Sequence, residues 1–406
     1  MFSSKEIRTE DYQYNLPERR IASYPLKERD SSKLLVYNRG VIDDDSFRNI
    51  GNWLDKDHHL FFNNTRVIRA RLLFKKPTGA SIEIFCLEPV DPADFNLSFA
   101  SSGVVKWKCL IGNLKKWKNE KIYLQFKVKS VSTTINAELL GKYEDGWLIQ
   151  FSWDNDSLTF CEILEGGGHM PIPPYLNRAD EKIDNTRYQT VYSKARGSVA
   201  APTAGLHFTS PLIETLTNNG ILISELTLHI SAGTFIPVKS KTIGEHKMHS
   251  ELFSVTRESI ESFRNQKIVS VGTTTVRTIE SLYWLGSKIQ RGYKEENGLL
   301  YVNQWEPYES DATIHVDEAI DSLLWYMDHN NIDKIEAQTS MIIVPGYNFR
   351  FIKGLITNWH MPGSTLLMLV AAFIGKDWKR IYRHALDHDY RFLSYGDSSL
   401  LLKQTD

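Results

Sequence analysis

The sequence predicts a mixed α/β main domain that is interrupted by a small inserted antiparallel β domain, either a barrel or a sandwich. The 406 residues are too many for one ordinary core, so two domains are expected. From about residue 160 onward, strand and helix patterns alternate, which indicates an α/β arrangement. Between residues 70 and 155, short runs with two-residue alternation are separated by turn residues. The main domain is therefore predicted over 1–69 and 156–406, and the inserted domain over 70–155.

Hydrophobic patterning places the elements of the main domain one after another. Short strands are predicted at 33–37, 59–62, 221–230 and 267–271. Helices are predicted from Ser210, where a capping serine precedes Pro211, and at 257–265, 276–285, 316–329, 363–375 and 377–388.

The inserted domain is predicted from alternating runs at 81–86, 106–111, 121–128 and 147–151. Its middle, residues 106–129, holds eight lysines against one glutamate, with two interleaved tryptophans. Such a run is either a solvated face of strands or a patch that follows a phosphate backbone, and the pattern leaves both open.

Composition excludes several classes of protein. The 48 basic and 49 acidic residues nearly cancel, so any nucleic-acid footprint must be local. The scattered Cys86, Cys109 and Cys161 form no metal or disulfide pattern, which fits a reducing compartment. The N-terminus lacks the apolar stretch of a signal peptide, and the longest apolar run, 366–374, is about half of a membrane span. We expect a cytoplasmic protein without a membrane partner.

The segment Glu165–Tyr175, EGGGHMPIPPY, combines three glycines with three prolines. Glycines permit a close backbone approach, but the prolines prevent a helix from starting, which excludes a dinucleotide-binding loop. A rigid connection between domains and a ligand site both fit, and His169 favours the site.

The segment Gly197–Thr209, GSVAAPTAGLHFT, contains mostly small residues and carries His207 just before a helix cap. Small side chains predict either a backbone wall against a flat ligand or a tightly packed crossover. Further along, His246 and His249 are three residues apart with Glu251 nearby. No third sharp metal ligand accompanies them, so acid–base chemistry or packing is favoured over a metal site.

Three later segments contain candidate binding residues. GTTTVR (272–277) sits at a strand-to-helix turn, where hydroxyls and the helix dipole can bind a carboxylate, although N-capping alone would need only one of them. His360 lies on a turn between a strand and a capped helix. YRFLSYGD (390–397) fits either a stacking site or a domain latch.

Taken in order, ten blocks of this chain resemble the S-adenosylmethionine:tRNA ribosyltransferase-isomerases of the queuosine pathway. The blocks are NNTRV (63–67), GGHMPIPPY (167–175), TRYQTVY (186–192), GSVAAPTAGLHFT (197–209), TLHISAGTFIPV (227–238), HKMHSE (246–251), VGTTTVR (271–277), PGYNF (345–349), LITNWHMPGSTLLMLVAAF (355–373) and YRFLSYGD (390–397).

The resemblance implies an α/β domain interrupted by a small β-barrel. It implies transfer and isomerisation of the ribosyl group of S-adenosylmethionine onto 7-aminomethyl-7-deazaguanine (preQ1) at the tRNA wobble position. The product is epoxyqueuosine-tRNA, and adenine and methionine leave. S-adenosylmethionine is a consumed co-substrate, no other cofactor and no metal are expected, and the protein is expected to be a monomer. The acidic segment near 287–340 is expected to be a surface addition away from the RNA.

This chemistry needs a base, an acid and a dry pocket, which directs attention to the histidines and to the small-residue and threonine motifs. The predicted acid–base residues are His169, His207, His229, His249 and His360, with Glu251 as a partner. The predicted substrate-binding residues are Arg66, Gly167, Gly168, Tyr188, Gln189, Ala200, Pro202, Thr203, Gly205, Thr273, Thr274, Arg277, Tyr347, Tyr395 and Asp397.

Two other classes of function compete with this hypothesis. One is a metal-dependent hydrolase that uses His246 and His249. The other is a non-catalytic RNA-binding module that uses the lysine-rich strands, which would leave the histidine and small-residue blocks without a purpose.

Overall fold

The computed structural model describes residues 3–76, 78–118, 120–128, 130–231, 238–293, 299–310 and 313–403. Its strands are β1 (Lys33–Asn38), β2 (Val41–Ser46), β3 (His58–Asn63), β4 (Thr65–Val67), β5 (Arg71–Lys75), β6 (Ser81–Asp91), β7 (Val104–Gly112), β8 (Ile122–Val128), β9 (Val131–Tyr143), β10 (Gly146–Trp153), β11 (Gly168–His169), β12 (Ala195–Ser198), β13 (Leu222–Leu228), β14 (Glu251–Thr256), β15 (Lys267–Val271), β16 (Leu300–Val302), β17 (Lys334–Thr339), β18 (Ile352–Asn358) and β19 (Ser398–Leu402). Its α-helices are α1 (Phe95–Ala100), α2 (Phe160–Gly167), α3 (Asp184–Arg187), α4 (Ser210–Asn218), α5 (Arg257–Glu261), α6 (Thr273–Gln290), α7 (Glu306–Glu309), α8 (Val316–Asn330), α9 (Thr365–Ile374) and α10 (Trp378–Asp387).

The main sheet has, within the described residues, ten strands in the order β16-β17-β14-β13-β3-β15-β18-β19-β1-β2. Its middle strands β13, β3, β15 and β18 run parallel to one another, and antiparallel pairings flank them on both sides. Every residue of β3 is buried, as expected of a central strand covered on both faces. The mixed α/β prediction is confirmed.

Helix α6 is almost entirely buried between the main sheet and α8. The two helices approach closely at Gly286, where an added Cβ would lie 2.4 Å from the carbonyl oxygen of Ala319. The face of α8 that meets α6 buries Ala319, Leu323 and Met327. The acidic segment therefore supplies a core helix and two strands of the main sheet, β16 and β17, so the expectation of a surface addition is wrong. The helix predicted at 316–329 is present as α8, and its acidic residues lie on the side away from the buried face.

The second sheet has seven strands in the described part of the chain, all antiparallel, in the order β11-β5-β6-β7-β10-β9-β8. It encloses its own core, which includes the buried Trp107, Phe151 and Phe160. The strand pairings alone describe an open sheet with β11 and β8 at its two edges. An ion pair between Lys76, which follows β5, and Glu120, which precedes β8, brings the two ends of the sheet together. An antiparallel β unit is thus present, whereas the closed barrel and the domain limits at 69/70 and 155/156 stay predictions.

Candidate active site

A cavity of about 230 Å³ lies at the carboxyl ends of the central parallel strands. Gly272 follows β15 directly, Thr357 and Asn358 end β18, and Ile230 lies just beyond β13. Ligands of open α/β sheets bind at this edge, where loops from neighbouring strands meet. The described residues that line the cavity are Pro174, Tyr175, Ala200, Ala201, Pro202, Thr203, Ala204, Ile230, Gly272, Thr273, Thr274, Thr357, Asn358, Trp359, His360, Met361, Pro362, Ser364, Leu366, Leu393 and Ser394.

The N-terminus of α6 opens onto this cavity. Its N-cap residue, Gly272, has φ +97° and supplies no side-chain cap, and Thr273 and Thr274 of the first turn line the cavity. The first backbone N–H groups of a helix have no partner within the helix, and together with the dipole they favour an anionic group. Because α6 has 18 residues, its dipole is well developed at this end. The threonine motif therefore provides a place for a carboxylate.

The small-residue segment forms one wall of the cavity through Ala200, Pro202 and Thr203. Gly205 lies in the same segment but does not line the cavity. A Cβ at Gly205 would lie 1.9 Å from the hydroxyl oxygen of Tyr192, so this glycine is required for packing. Both interpretations of the segment hold, each for a different part of it.

His360 enters the cavity from the turn after β18 and is 8 % exposed. Its Nε2 lies 2.9 Å from the hydroxyl oxygen of Thr357, and Tyr14 and Tyr382 bond its backbone carbonyl and N–H. Burial lowers the pKa of His360 to about 3. The ring is therefore neutral at pH 7. Thr357 holds the ring in place, and Tyr14 and Tyr382 hold the backbone of His360.

His207 lies behind the cavity wall and makes hydrogen bonds with both ring nitrogens. Asn358 donates its amide N–H groups to the carbonyls of Leu393 and Ser394, so its Oδ1 is the atom that faces His207. Oδ1 can only accept, so His207 Nε2 carries the proton and donates over 3.0 Å. Its Nδ1 then accepts from Ser32 Oγ at 2.7 Å. His207 thus orients Asn358, which does line the cavity.

The cavity lining contains no aspartate, glutamate, lysine or arginine among the described residues. Its polar groups are hydroxyls, one amide, one neutral imidazole and the helix N-terminus. A charged ligand in this cavity meets dipoles rather than counter-charges. These dipoles are already fixed, so they do not have to reorganise as charge develops.

The family model described as "Queuosine biosynthesis protein" matches residues 9–401. The chain belongs to this family. A relative from Sulfurihydrogenibium sp. (strain YO3AOP1), named S-adenosylmethionine:tRNA ribosyltransferase-isomerase, is 36% identical over 98% of this chain and 100% of its own. A relative of the same name from Syntrophomonas wolfei is 37% identical, with 97% of each chain covered. A crystal structure of S-adenosylmethionine tRNA ribosyltransferase from Thermotoga maritima is 28% identical, covers 97% of this chain and 100% of that one, and has a TM-score of 0.45.

Three other predicted histidines of this family member lie outside the cavity lining. His169 forms an ion pair with Asp180 at 3.1 Å. His249 lies 3.2 Å from a carboxylate oxygen of Asp145 on the other sheet. His229 stacks on Phe95 with ring centroids 4.6 Å apart, and burial lowers its pKa to about 4. These contacts join separate parts of the chain, and a catalytic role for the three residues stays a prediction.

Arg277 and Glu251 form a buried ion pair with Nη1 and Oε2 2.7 Å apart. Arg277 also donates Nε–H to the carbonyl of Met341, and Glu251 accepts from the N–H of Ser231. The guanidinium is one helical turn beyond the cavity-lining Thr274 and does not line the cavity. The expected partnership of Glu251 with a histidine is replaced by one with Arg277, because the buried guanidinium needs a counter-charge.

The glycines of EGGGHMPIPPY approach the protein's own chain. An added Cβ would lie 2.7 Å from the Phe126 ring at Gly167 and 2.1 Å from the Arg69 carbonyl at Gly168. Gly167 allows α2 to pack closely on β8, and Gly168 allows β11 to approach β5. Gly167 and Gly168, which were predicted to bind substrate, are not among the described residues that line the cavity.

A second cavity of about 330 Å³ lies beside the first strands of the inserted region and is lined by three arginines, Arg66, Arg69 and Arg196. Gln189, also in its lining, clamps Val67 by accepting from its N–H at 3.0 Å and donating to its carbonyl at 2.7 Å. Glu165 also lines this cavity and pairs with Arg196 at 3.2 Å, so the lining keeps a net positive charge. Tyr188, which precedes Gln189 in the chain, is fully buried in a neighbouring hydrophobic core.

The lysine-rich strands are partly neutralised. Lys108 is surrounded by Glu88, Glu144 and Asp145, and Lys106 and Lys121 pair with Asp91 and Glu138. Burial acts to lower the pKa of Lys108, but its hydrogen bonds to the three acids outweigh burial and raise the pKa. These lysines therefore support strand packing at a solvated face more than phosphate binding.

The C-terminal block lines the cavity at Leu393 and Ser394 and makes buried hydrogen bonds at Tyr395 and Asp397, so the stacking-site and latch interpretations both stay predictions. Tyr395 donates to Asp184 at 2.7 Å, and Asp397 accepts from the backbone N–H groups of Lys33 and Arg391. Tyr347, predicted to bind substrate, donates instead to the buried Glu280 at 2.7 Å. All three predicted residues are buried and hydrogen-bonded within the protein.

Several cavity residues were not among those predicted, above all Tyr175, Gly272, Asn358, Trp359 and Ser394. Each lies inside a recognised block, but its type did not suggest chemistry. The usable signal was position, because Gly272 and Asn358 end or follow adjacent parallel strands. His246 and His249 belong to no group of three potential metal ligands among the described residues. No helix in the described part of the chain is long and apolar enough to cross a membrane.

Proposed function

We propose that this protein transfers the ribosyl group of S-adenosylmethionine to the aminomethyl nitrogen of preQ1 at the wobble position of tRNA. The ribosyl group is isomerised to an epoxycyclopentane, which gives epoxyqueuosine-tRNA and releases adenine and methionine. Family membership and the names of the relatives support the reaction class. The observation that carries the proposal is that three family blocks, around Ala200, Gly272 and Asn358, line one cavity.

S-adenosylmethionine is assigned to the cavity at the strand ends. Its methionine carboxylate is placed at the start of α6, against the Thr273 and Thr274 hydroxyls and the first backbone N–H groups. Its adenine is placed against the flat wall of Ala200 and Pro202, where small side chains permit close approach. The consumed S-adenosylmethionine is the reactive species, and no further cofactor is invoked.

The protein's main contribution in this proposal is positioning. The sulfonium acidifies the neighbouring C5′–H and later provides the leaving group, so the protein need not supply a strong base. His360 is neutral at pH 7, since burial lowers its pKa to about 3, so its ring is a weak base and is assigned to orient the substrate by a hydrogen bond. Asn358, oriented by His207, is assigned to accept a second hydrogen bond at Oδ1 from a hydroxyl of the reacting sugar. The apolar remainder of the lining excludes water from reactive intermediates.

The tRNA backbone is assigned to the cavity with Arg66, Arg69 and Arg196. Arginine is suited to phosphate because its planar fork donates two parallel hydrogen bonds. The acids of α8 lie elsewhere, paired with Arg257 and Arg264.

The proposal is tested by one incubation of the purified protein with S-adenosylmethionine and tRNA that carries preQ1. The expected result is stoichiometric adenine release together with the matching mass gain on the wobble nucleoside. Adenine release that is independent of the preQ1 base, or no release, would overturn the proposal.

A matched pair of variants tests the placement of the carboxylate. Thr274→Val removes a cavity-lining hydroxyl, whereas Thr278→Val removes one that is one turn further on and bonds the Thr274 carbonyl. One hydrogen bond to a charged group is worth about 1.5–3 kcal/mol, so Thr274→Val should lower kcat/KM for S-adenosylmethionine about 10- to 100-fold. Thr278→Val should stay close to wild type, and equal losses in both would contradict the placement.

A further inference from the structure

Three side chains with metal-binding atoms converge on the surface where β2 meets the end of α10. Asp44 lies on β2, His384 in the last turn of α10, and His388 caps that helix. One carboxylate oxygen and one nitrogen from each imidazole all lie within 4.8 Å of one another. The cluster is separate from the cavity assigned to S-adenosylmethionine, since none of the three residues lines it.

The spacing of the two histidines is that of one helical turn. Residues four apart lie on the same face of a helix, and the two imidazole rings stack with centroids 3.8 Å apart. A neutral imidazole offers a metal the lone pair of its unprotonated nitrogen. Asp44 brings the third ligand from a different element, with Oδ2 2.8 Å from His384 Nε2.

The atoms behind the ligands are already oriented. His388 donates Nδ1–H to the carbonyl oxygen of His384 at 2.9 Å, which leaves Nε2 with its lone pair. The other carboxylate oxygen of Asp44 accepts from the hydroxyl of Tyr390. Hydrogen bonds of this kind commonly fix the ring orientation and the carboxylate of metal ligands.

We infer that Asp44, His384 and His388 form a zinc site with an open fourth position for water. Zinc prefers four tetrahedral ligands, and imidazole nitrogens and carboxylate oxygens are among its ordinary donors. Ligands about 2.1 Å from the ion are about 3.4 Å apart in a tetrahedron, so small side-chain rotations complete the geometry. On binding, Zn²⁺ takes the place of the proton between His384 Nε2 and Asp44, and the neutral ring carries its proton on Nδ1 instead.

The ion would fasten the edge strand β2 to the end of α10. The same junction already holds the hydrogen bond from Lys33 Nζ to the carbonyl of His388 at 2.6 Å, which ties β1 to this helix end. Both histidines and Asp44 retain solvent exposure, so an ion can enter without unfolding. The three cysteines cannot compete for zinc, because all are buried.

The experiment uses the full chain, purified without a histidine tag, and Zn²⁺ alone as the probe. Competition against a chromophoric chelator measures stoichiometry and affinity, and Co²⁺ in place of Zn²⁺ reports coordination by its visible absorption. The expected result is one ion per chain, tetrahedral Co²⁺ absorption, and a Zn²⁺-dependent rise in the melting temperature.

Three variants distinguish this site from scattered surface binding. His388→Ala removes an exposed ligand, and Asp44→Asn removes the charge while keeping an acceptor for Tyr390. His329→Ala is the matched control, because His329 is likewise an exposed histidine at the C-terminal end of a helix, α8. The first two should weaken Zn²⁺ binding at least about tenfold and abolish the Co²⁺ signal, as expected for loss of a ligand, and His329→Ala should bind like wild type. Absence of stoichiometric binding in the wild type, or binding that His388→Ala and Asp44→Asn leave unchanged, overturns the inference.

Discussion

Replacement of His207 by glutamine should make the protein less sensitive to acid. The ring is 4 % exposed, and burial lowers its pKa from 6.5 to about 4. In the unfolded chain the same imidazole titrates near its ordinary value. Below about pH 6.5 the unfolded state therefore binds a proton that the folded state refuses, and stability falls as the pH drops towards 4. Glutamine has no titrating group and can still donate to Asn358.

The size of the effect follows from the two pKa values of His207. At about pH 4.5 the difference in proton binding costs the folded state about 2.5 kcal/mol relative to about pH 8. The buried His229 and His360 also have lowered pKa values, so wild type loses stability through them as well. They are common to both proteins, and the difference between wild type and variant isolates His207.

The measurement is urea-induced unfolding followed by tryptophan fluorescence at the two pH values. Glutamine should lower stability at the higher pH, because the hydrogen bond with Ser32 is lost. On going to the lower pH, the variant should lose about 2.5 kcal/mol less than wild type. If both proteins lose the same amount, His207 is not held neutral by the fold, and a role in proton transfer becomes the better explanation.

Three further outcomes are expected. Glu251→Gln leaves the guanidinium of Arg277 without its counter-charge and should cost about 3–5 kcal/mol by urea unfolding, with recovery when Arg277→Met is added; a silent single variant would mean that the pair is not buried. Gly205→Ala should cost about 1–3 kcal/mol, since the new methyl would overlap Tyr192, whose ring stacks on Phe62 and cannot move away; unchanged stability would refute the packing role. Raising the salt concentration should increase KM for tRNA steeply and KM for S-adenosylmethionine little, because only the RNA is assigned to arginines; similar changes for both substrates would contradict this division.

Much of the fold could be predicted from local patterns. The strand predicted at 267–271 has the observed bounds, and the helix predicted at 316–329 differs by one residue at its end. The first has three β-branched apolar residues among its five, and the second has a clear helical stripe. The strand β9 (Val131–Tyr143) was missed, because it is half-exposed and its polar residues resemble a loop. The role of the acidic segment was also missed, since charge describes the outer face of a helix and says nothing about the inner one.

The site was predictable to the level of the segment but not of the side chain. Thr274 and Arg277 come from one motif, yet the first lines the cavity and the second turns away to Glu251. A residue three positions further on lies about 4.5 Å along the helix axis and about 60° around it, so it meets different neighbours. The packing of α6 decides which neighbours those are. Asn358 was overlooked because an amide at a strand end has no conspicuous chemistry until its partners are known.

The histidines show why residue type is a poor guide to catalysis in this protein. A buried imidazole with two hydrogen-bond partners, such as His207, is fixed in one tautomer and cannot exchange its proton without breaking a contact. His360 has the same neutral charge but borders the cavity, so a substrate can become its second partner. The distinction lies in which ring nitrogen stays available to a ligand: Ser32 and Asn358 occupy both nitrogens of His207, whereas Thr357 bonds Nε2 of His360. Where the described lining has no charged side chains, the arrangement of such neutral groups is what can discriminate between the two reacting partners.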